Sequence, residues 1–274
     1  MTMAPRGFSS IATAAGVGTL ILAFGVFFLL PFAGLLDHAL RDGETWDALF
    51  SDTAVNAVAL SLVTSTIALT LAILLGTPTA YWLVHSSFPG RRVLESLLDL
   101  PILLPPSVAG VALLTAFGRQ GILGQPLEDA FGLTIGFTTA AVVLAQLFVA
   151  GPFYVRSARA GFASVDEDLE TIAYTLGASR LKTLFRVVIP LAWPSLLGGA
   201  MLCWARAMGE LGATLLFAGN IEGTTQTAPL AILSALETSA GLTGAVAISL
   251  LLIGVGAAVL GTVWIAASRT GLSR

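Results

Sequence analysis

Six long stretches without a charged side chain govern what this chain can become. They cover residues 7–36, 53–84, 100–118, 130–155, 187–205 and 238–268, and each reaches or nearly reaches the roughly 20 residues that carry a helix across a bilayer. Charged residues make up 11% of the 274, against about 25% in soluble domains. The sequence therefore reads as an all-α integral membrane protein, a single transmembrane domain over 1–274. Its six spans are expected near 10–36, 53–84, 98–118, 133–155, 190–217 and 240–267. The first run follows Arg6 and is twice the ~7–15 residue core of a signal peptide, so it is expected to be a retained helix.

Charge between the runs is lopsided. Arg6, Arg91, Arg92, Arg156, Arg159, Arg180, Lys182, Arg186, Arg269 and Arg274 fall on one side of a six-span topology. Arg41 and Arg119 fall on the other, together with Asp37, Asp42, Glu44, Asp47, Asp52, Glu128, Asp129, Glu222 and Glu237. The positive-inside bias then places both termini in the cytoplasm. Cys203, the single cysteine, lies in an apolar run, which excludes a disulfide framework and a Cys-based metal site. No G-x-x-x-x-G-K-[ST] loop occurs and Lys182 is the only lysine, so the chain lacks a P-loop for ATP. His38 and His85 are isolated and read as solvated loop residues. The stretch Gly-Val-Gly-Ala-Ala-Val at 254–259 reads as helix packing through Gly254 and Ala258. No nucleophile, base and orienter stand together; no catalytic residue, metal ligand, cofactor or nucleic-acid partner is expected.

One segment between the apolar runs is built differently. Ser164-Val165-Asp166-Glu167 has capping-box spacing, and Asp168 and Glu170 add negative charge to a first helical turn. Val165, Leu169, Ile172, Ala173 and Leu176 recur at helical spacing, and Gly177 is a natural stop. A second short helix is expected from Ser179, with Leu181, Leu184, Phe185 and Val188 on one side and Arg180, Lys182 and Arg186 elsewhere, until Pro190 and Pro194 end or bend it. Such a pair could lie on the anionic inner leaflet or seat in a groove of a protein partner. The acidic first turn argues against the leaflet.

This segment resembles the cytoplasmic EAA loop of ABC-importer permeases. Gly177 is followed thirteen residues later by Pro190, and Val187-Val188-Ile189-Pro190 supplies the apolar ending. Ala173 agrees with the family triplet, Thr171 and Ile172 stand where Glu and Ala are usual, and Glu170 is one position early. The resemblance implies a coupling loop at 156–189, in which Asp166, Glu167, Glu170, Ala173, Leu176, Gly177, Ala178, Arg180 and Pro190 engage a separate ATPase. Residues 206–232, RAMGELGATLLFAGNIEGTTQTAPLAI, resemble the stretch after that loop in molybdate and tungstate permeases, with sulfate permeases close behind. Residues 100–124 and 138–157 are similar to the same family's third and fourth spans.

The resemblance implies an ABC type I importer-like permease fold in the cell membrane. It further implies a homodimer, two cytoplasmic ATPases that bind the ATP and Mg, and an extracytoplasmic oxyanion-binding protein. The expected task is import of a tetrahedral oxyanion, molybdate or tungstate, by alternating access. The alternatives are a sulfate or thiosulfate permease of the same fold, or an ion-coupled secondary transporter. A coupled carrier calls for several intramembrane titratable groups, and only Arg206 and Glu210 qualify.

The candidate path or gate residues are Pro105, Pro106, Ser107, Gly110, Arg206, Gly209, Glu210, Thr214, Thr225, Gln226 and Thr227. Arg206 and Glu210 have i, i+4 spacing and are expected to neutralise each other, either as a packing pair or within the path. Gly209 and Gly212 allow a neighbouring backbone close, as the same helix of a second copy would be. Pro101, Pro105 and Pro106 either kink a packed helix or shape a pore wall. Thr224 to Thr227 offer neutral donors, which suit a conduit whose sites an anion must leave. Glu222 beside them reads as a solvent-facing loop residue.

Overall fold

A bilayer offers the backbone no partner but itself, so apolar runs cross it as helices. The computed structural model describes residues 7–269, and every element among them is helical; Arg6 and Arg274 lie outside. In chain order these are α1 (Gly7–Arg41), α2 (Glu44–Leu49), α3 (Asp52–His85), α4 (Arg91–Leu103), α5 (Pro106–Phe117), α6 (Gly124–Phe131), α7 (Thr139–Ala163), α8 (Glu167–Thr175) and α9 (Arg180–Thr183). A π-helical turn (Leu184–Val188) leads into α10 (Ile189–Met208), followed by α11 (Gly212–Ala218), α12 (Ala228–Glu237) and α13 (Gly241–Arg269). Among the described residues five helices are long and apolar enough to cross a membrane. The pair α4 and α5, bent by 116°, makes a sixth if the two together form one broken span.

Three expected boundaries move. The fourth span runs over 139–163, not 133–155. Thr138 caps it, accepting from the Ala141 N–H at 3.3 Å, and its far end carries Arg156 and Arg159. Arg159 is held there by Glu95 at 3.0 Å and Asp99 at 3.8 Å, which ties α7 to α4. The fifth span, expected at 190–217, is helical from Arg180 through Met208 and then breaks. Pro190 and Pro194 do not end it. Proline lacks an N–H and crowds the carbonyl four residues back; the wider π turn lies directly before Pro190, where that mismatch falls. The expected loop 156–189 is thus mostly helix.

Small residues bring the central helices together. Ala72 and Ala80 of α3, Ala150, Tyr154, Ala158 and Phe162 of α7, and Ala192 and Cys203 of α10 form one core, and the Ser157 hydroxyl donates to the Ser195 carbonyl at 2.7 Å. Close backbones of this kind replace the hydrophobic drive that lipid removes. A second core joins α12 and α13 to the start of α3 through Ala54, Ala57, Ala228, Ala231, Ala235 and Ala245. Gly254 has no neighbouring atom within 4 Å of where a Cβ would stand, so the packing expected there is not made among the described residues.

The molecule has two distinct ends. A basic face gathers the end of α3, the start of α4, the end of α7 and helices α8 and α9. The opposite, acidic face holds α2, the start of α3, α6 and the loop after α11. There the Thr243 hydroxyl donates to Asp42 at 2.5 Å and holds its carboxyl below the usual range. From the acidic face the chain dips back inward. The Ala228 N–H donates to Ser61 Oγ at 2.7 Å, about two turns into α3, so α12 lies sunk beside that helix.

Candidate functional site

Two interrupted helices meet at their breaks, which are exposed around Pro106 and buried at Glu210. Leu104 and Pro105 each precede a proline, which disfavours helical backbone, and both are extended, with ψ of 135° and 139°. Helix α5 restarts at Pro106. The second break spans 209–211, and α11 restarts at Gly212. The two restarts touch: a Cβ on Gly212 would stand 2.6 Å from Pro106 Cβ, and one on Gly110 2.8 Å from Leu216 Cβ. The close approach expected of Gly212 is therefore made to α5 of its own chain. Gly209 has only the carbonyl of Ala205 nearby, at 3.7 Å.

Arg206 and Glu210 bridge the second break and do not share one helix. Arg206 Nη1 lies 2.7 Å from Glu210 Oε2, with the Arg206 side chain 31% exposed and that of Glu210 1%. The other carboxylate oxygen accepts from the Ala213 N–H at 2.8 Å. One carboxylate thus neutralises the cation and caps the first turn of α11, where the helix dipole favours negative charge. Thr214 follows, buried, with a hydroxyl that has no hydrogen-bond partner among the described residues, and on α7 neither amide atom of buried Gln146 has one there. Sequence reading passed over Gln146; its signal is a lone amide in an apolar run. Pro105, Pro106 and Ser107 are exposed and Gly110 is buried.

Thr225, Gln226 and Thr227 form a separate cluster toward the acidic face, all buried. Thr225 Oγ1 accepts from the Ile221 N–H at 2.9 Å, the Gln226 amide donates to Ser234 Oγ at 3.3 Å, and Thr227 precedes α12. Glu222, expected to face solvent only, accepts from the Thr53 hydroxyl at 2.8 Å and pins the loop to α3. A cleft of about 370 Å³ runs between Thr53, Asn56, Leu60, Glu222 and Gln226.

The basic face carries the second candidate region. Ser164 does not cap α8. Its hydroxyl donates to the Gly161 carbonyl at 2.7 Å and finishes α7, while Asp166 caps α8 by accepting from the Asp168 N–H at 3.0 Å. The longer α7 displaces the expected cap by two residues. Gly177 ends α8 with φ of 81°, a left-handed conformation that glycine adopts without a Cβ penalty. Ser179 caps α9, accepting from the Lys182 N–H at 3.3 Å. Leu169, Ile172, Leu176, Leu181 and Phe185 are exposed, as are Asp166, Glu167, Arg180 and Pro190; Ala173 and Ala178 are half-buried.

Glu170 turns the other way, into the protein. His85 Nε2 lies 2.8 Å from its Oε1, and the Tyr81 and Tyr174 hydroxyls donate to its Oε2 at 3.3 Å each. His85 is thus not on a loop, and although exposed its ring is engaged. It closes α3 and meets a carboxylate 85 positions away in sequence, a separation that leaves no local signal.

Residues 68–267 match the family described as the binding-protein-dependent transport system inner membrane component. The chain belongs to that family. The permease is 40% identical over 197 residues to the molybdenum transport system permease protein ModB of Escherichia coli, covering 72% of this chain and 86% of the relative. It is 43% identical over 215 residues to ModB of Mycobacterium tuberculosis, covering 78% and 80%. A protein named as a sulfate transport system permease, cysT of Chlorokybus atmophyticus, is 34% identical over 238 residues, covering 84% and 83%. In fold the permease superposes on a chain of a bacterial ABC transporter involved in import of the polysaccharide alginate. The TM-score is 0.74 at 16% identity, over 97% of this chain and 99% of that one. The fold is thus that of an ABC type I importer permease, and the protein is a multi-pass inner-membrane translocation subunit, not an enzyme.

Proposed function

We propose that the permease is the membrane-spanning subunit of an ATP-driven importer that brings molybdate or tungstate into the cytoplasm by alternating access. The observation that carries this is its 40–43% identity, over most of both chains, to permeases named for molybdenum transport. Sulfate is the second reading, favoured by the 34% identical relative named for sulfate.

The basic face is cytoplasmic under this reading, because Arg91, Arg92, Arg156, Arg159, Arg180, Lys182 and Arg186 gather there, and both termini lie on the same side. Two ATPases, which bind the ATP and Mg, take up the α8–α9 loops of two permease copies. The exposed Ile172, Leu176 and Leu181 fit an apolar groove and Asp166, Glu167 and Arg180 its rim, while Ala173, Gly177, Ala178 and Pro190 set the loop's shape. An oxyanion-binding protein delivers substrate to the acidic face, where Thr225, Gln226 and Thr227 stand near the entrance. The gate is the pair of breaks, with Pro105, Pro106, Ser107, Gly110, Gly209 and Thr214 around them. Because α5 and α11 are packed restart to restart, they move as one unit. Arg206 supplies the cation beside them, and its partner Glu210 keeps it from holding an anion too tightly to release. ATP biases the cycle by binding one state of the assembly more tightly than the other.

The test is uptake of labelled molybdate, tungstate and sulfate by proteoliposomes holding the permease, its ATPase and its binding protein. Entry of molybdate or tungstate that needs ATP and the ATPase is expected. Entry of sulfate alone selects the second reading, and entry driven by a proton or sodium gradient without the ATPase overturns both.

A further inference from the structure

Three of the four acidic residues that open the α8 loop, Asp166, Glu167 and Asp168, are exposed, and the fourth, Glu170, is buried against the end of α3. The geometry of that contact fixes a proton count. His85 Nδ1 lies 2.9 Å from the Tyr81 carbonyl. A carbonyl only accepts, so Nδ1 carries a hydrogen. Nε2, 2.8 Å from Glu170 Oε1, then meets a carboxylate oxygen. A neutral imidazole with its hydrogen on Nδ1 and an ionised carboxylate would face each other lone pair to lone pair. A bond at that distance needs one further proton, on the imidazole or on the carboxyl, and the Tyr81 and Tyr174 hydroxyls already serve the other oxygen.

We propose that Glu170 and His85 form a clasp, closed by one shared proton, through which the α8 loop pulls on α3. Both are positioning residues, and the inference rests on the reading of this loop as the ATPase-coupling element. The clasp is the side-chain link between the loop that meets the ATPase and a helix that runs to the acidic face, where Thr53 holds Glu222. The other charged or titratable groups facing it are Tyr81 on α3, Tyr174 and Glu167 on α8, Arg180 on α9 and Arg91 on α4, which line the adjoining cleft of about 520 Å³. Arg91 is committed to Glu95 at 2.9 Å and to the Ser86 carbonyl at 3.1 Å.

Two substitutions separate the clasp from a mere prop. Glutamine at 170 presents a fixed N–H to His85 Nε2 and a carbonyl to the tyrosines, replacing the shared proton with a permanent one. Leucine presents neither. In the reconstituted importer, Glu170→Leu and His85→Leu are each expected to keep the ATPase bound and hydrolysing while oxyanion moved per ATP falls about fivefold or more, with the double variant no worse than either single. Glu170→Gln is expected to hold the wild-type ratio. Parallel loss of uptake and hydrolysis in the leucine variants, loss of the ATPase from the complex, or a ratio in Glu170→Gln as low as in Glu170→Leu would each overturn the clasp. Hydrogen exchange of the permease in micelles reads the clasp without transport: α8 amides should exchange faster in Glu170→Leu and as in wild type in Glu170→Gln. Equal exchange in all three overturns it too. A wild-type complex that moves no oxyanion overturns the importer reading instead, and the exchange measurement still decides the clasp.

Discussion

Glu210 carries two tasks with one carboxylate, and this sets what its replacement does. Removing the side chain in Glu210→Ala leaves Arg206 without its partner at 2.7 Å and the Ala213 N–H without its acceptor. Breaking a buried pair from one side costs about 3–5 kcal/mol, and Arg206, partly exposed, brings the expectation to the lower end. Thermal unfolding in micelles, followed by a thiol-reactive dye on the buried Cys203, should show a clear drop in midpoint. The double change Arg206→Met with Glu210→Gln should recover most of it, because glutamine still accepts from Ala213 and no charge is stranded. Gln146 predicts the opposite sign. Its buried amide has no partner among the described residues, and an apolar replacement of like shape removes a penalty of about 1–3 kcal/mol. Gln146→Met should therefore raise the midpoint; a fall would mean that the amide has a bonded partner in the working protein. Residue-level roles were the least legible part of the sequence. The spacing of Arg206 and Glu210 announced their pairing, but Gly209, which ends the helix between them, reads equally as a site of close backbone approach, and His85 looked idle because its partner is distant in sequence.

Elements were more legible, for a physical reason. A bilayer turns any long charge-free run into helix, so existence and number follow from composition, and the prolines at 105 and 106 marked the first break. The second break, the π turn and the sunken α12 were hidden, since each depends on tertiary contacts: Pro106 against Gly212, the crowding before Pro190, and Ser61 against Ala228. The packing of α5 on α11 yields a prediction of its own. Gly212→Val must push Pro106 away and should lower the midpoint by the equivalent of about 1–3 kcal/mol, as overpacking does. Gly254→Val on α13, with open space around it, should leave the midpoint of the isolated permease unchanged. Equal effects at the two sites would mean that α5 and α11 are not locked together.

The whole molecule is where charge speaks and apolarity falls silent. Helix α1 buries none of its most apolar window inside the chain, so its hydrophobicity encodes a bilayer or a second copy, and the sequence alone does not tell these apart. Orientation is different, because Lys and Arg are biased toward the cytoplasmic side of short loops. Lys182 on α9 and Thr224 in the loop after α11 lie on opposite faces, and both are exposed. In a Cys203→Ala background, a membrane-impermeant maleimide added to intact spheroplasts should label Thr224→Cys and leave Lys182→Cys unmodified until the membrane is opened. The reverse pattern would put the α8–α9 loop outside the cell, away from any ATP, and would remove the clasp at Glu170 from the side on which an ATPase could pull it.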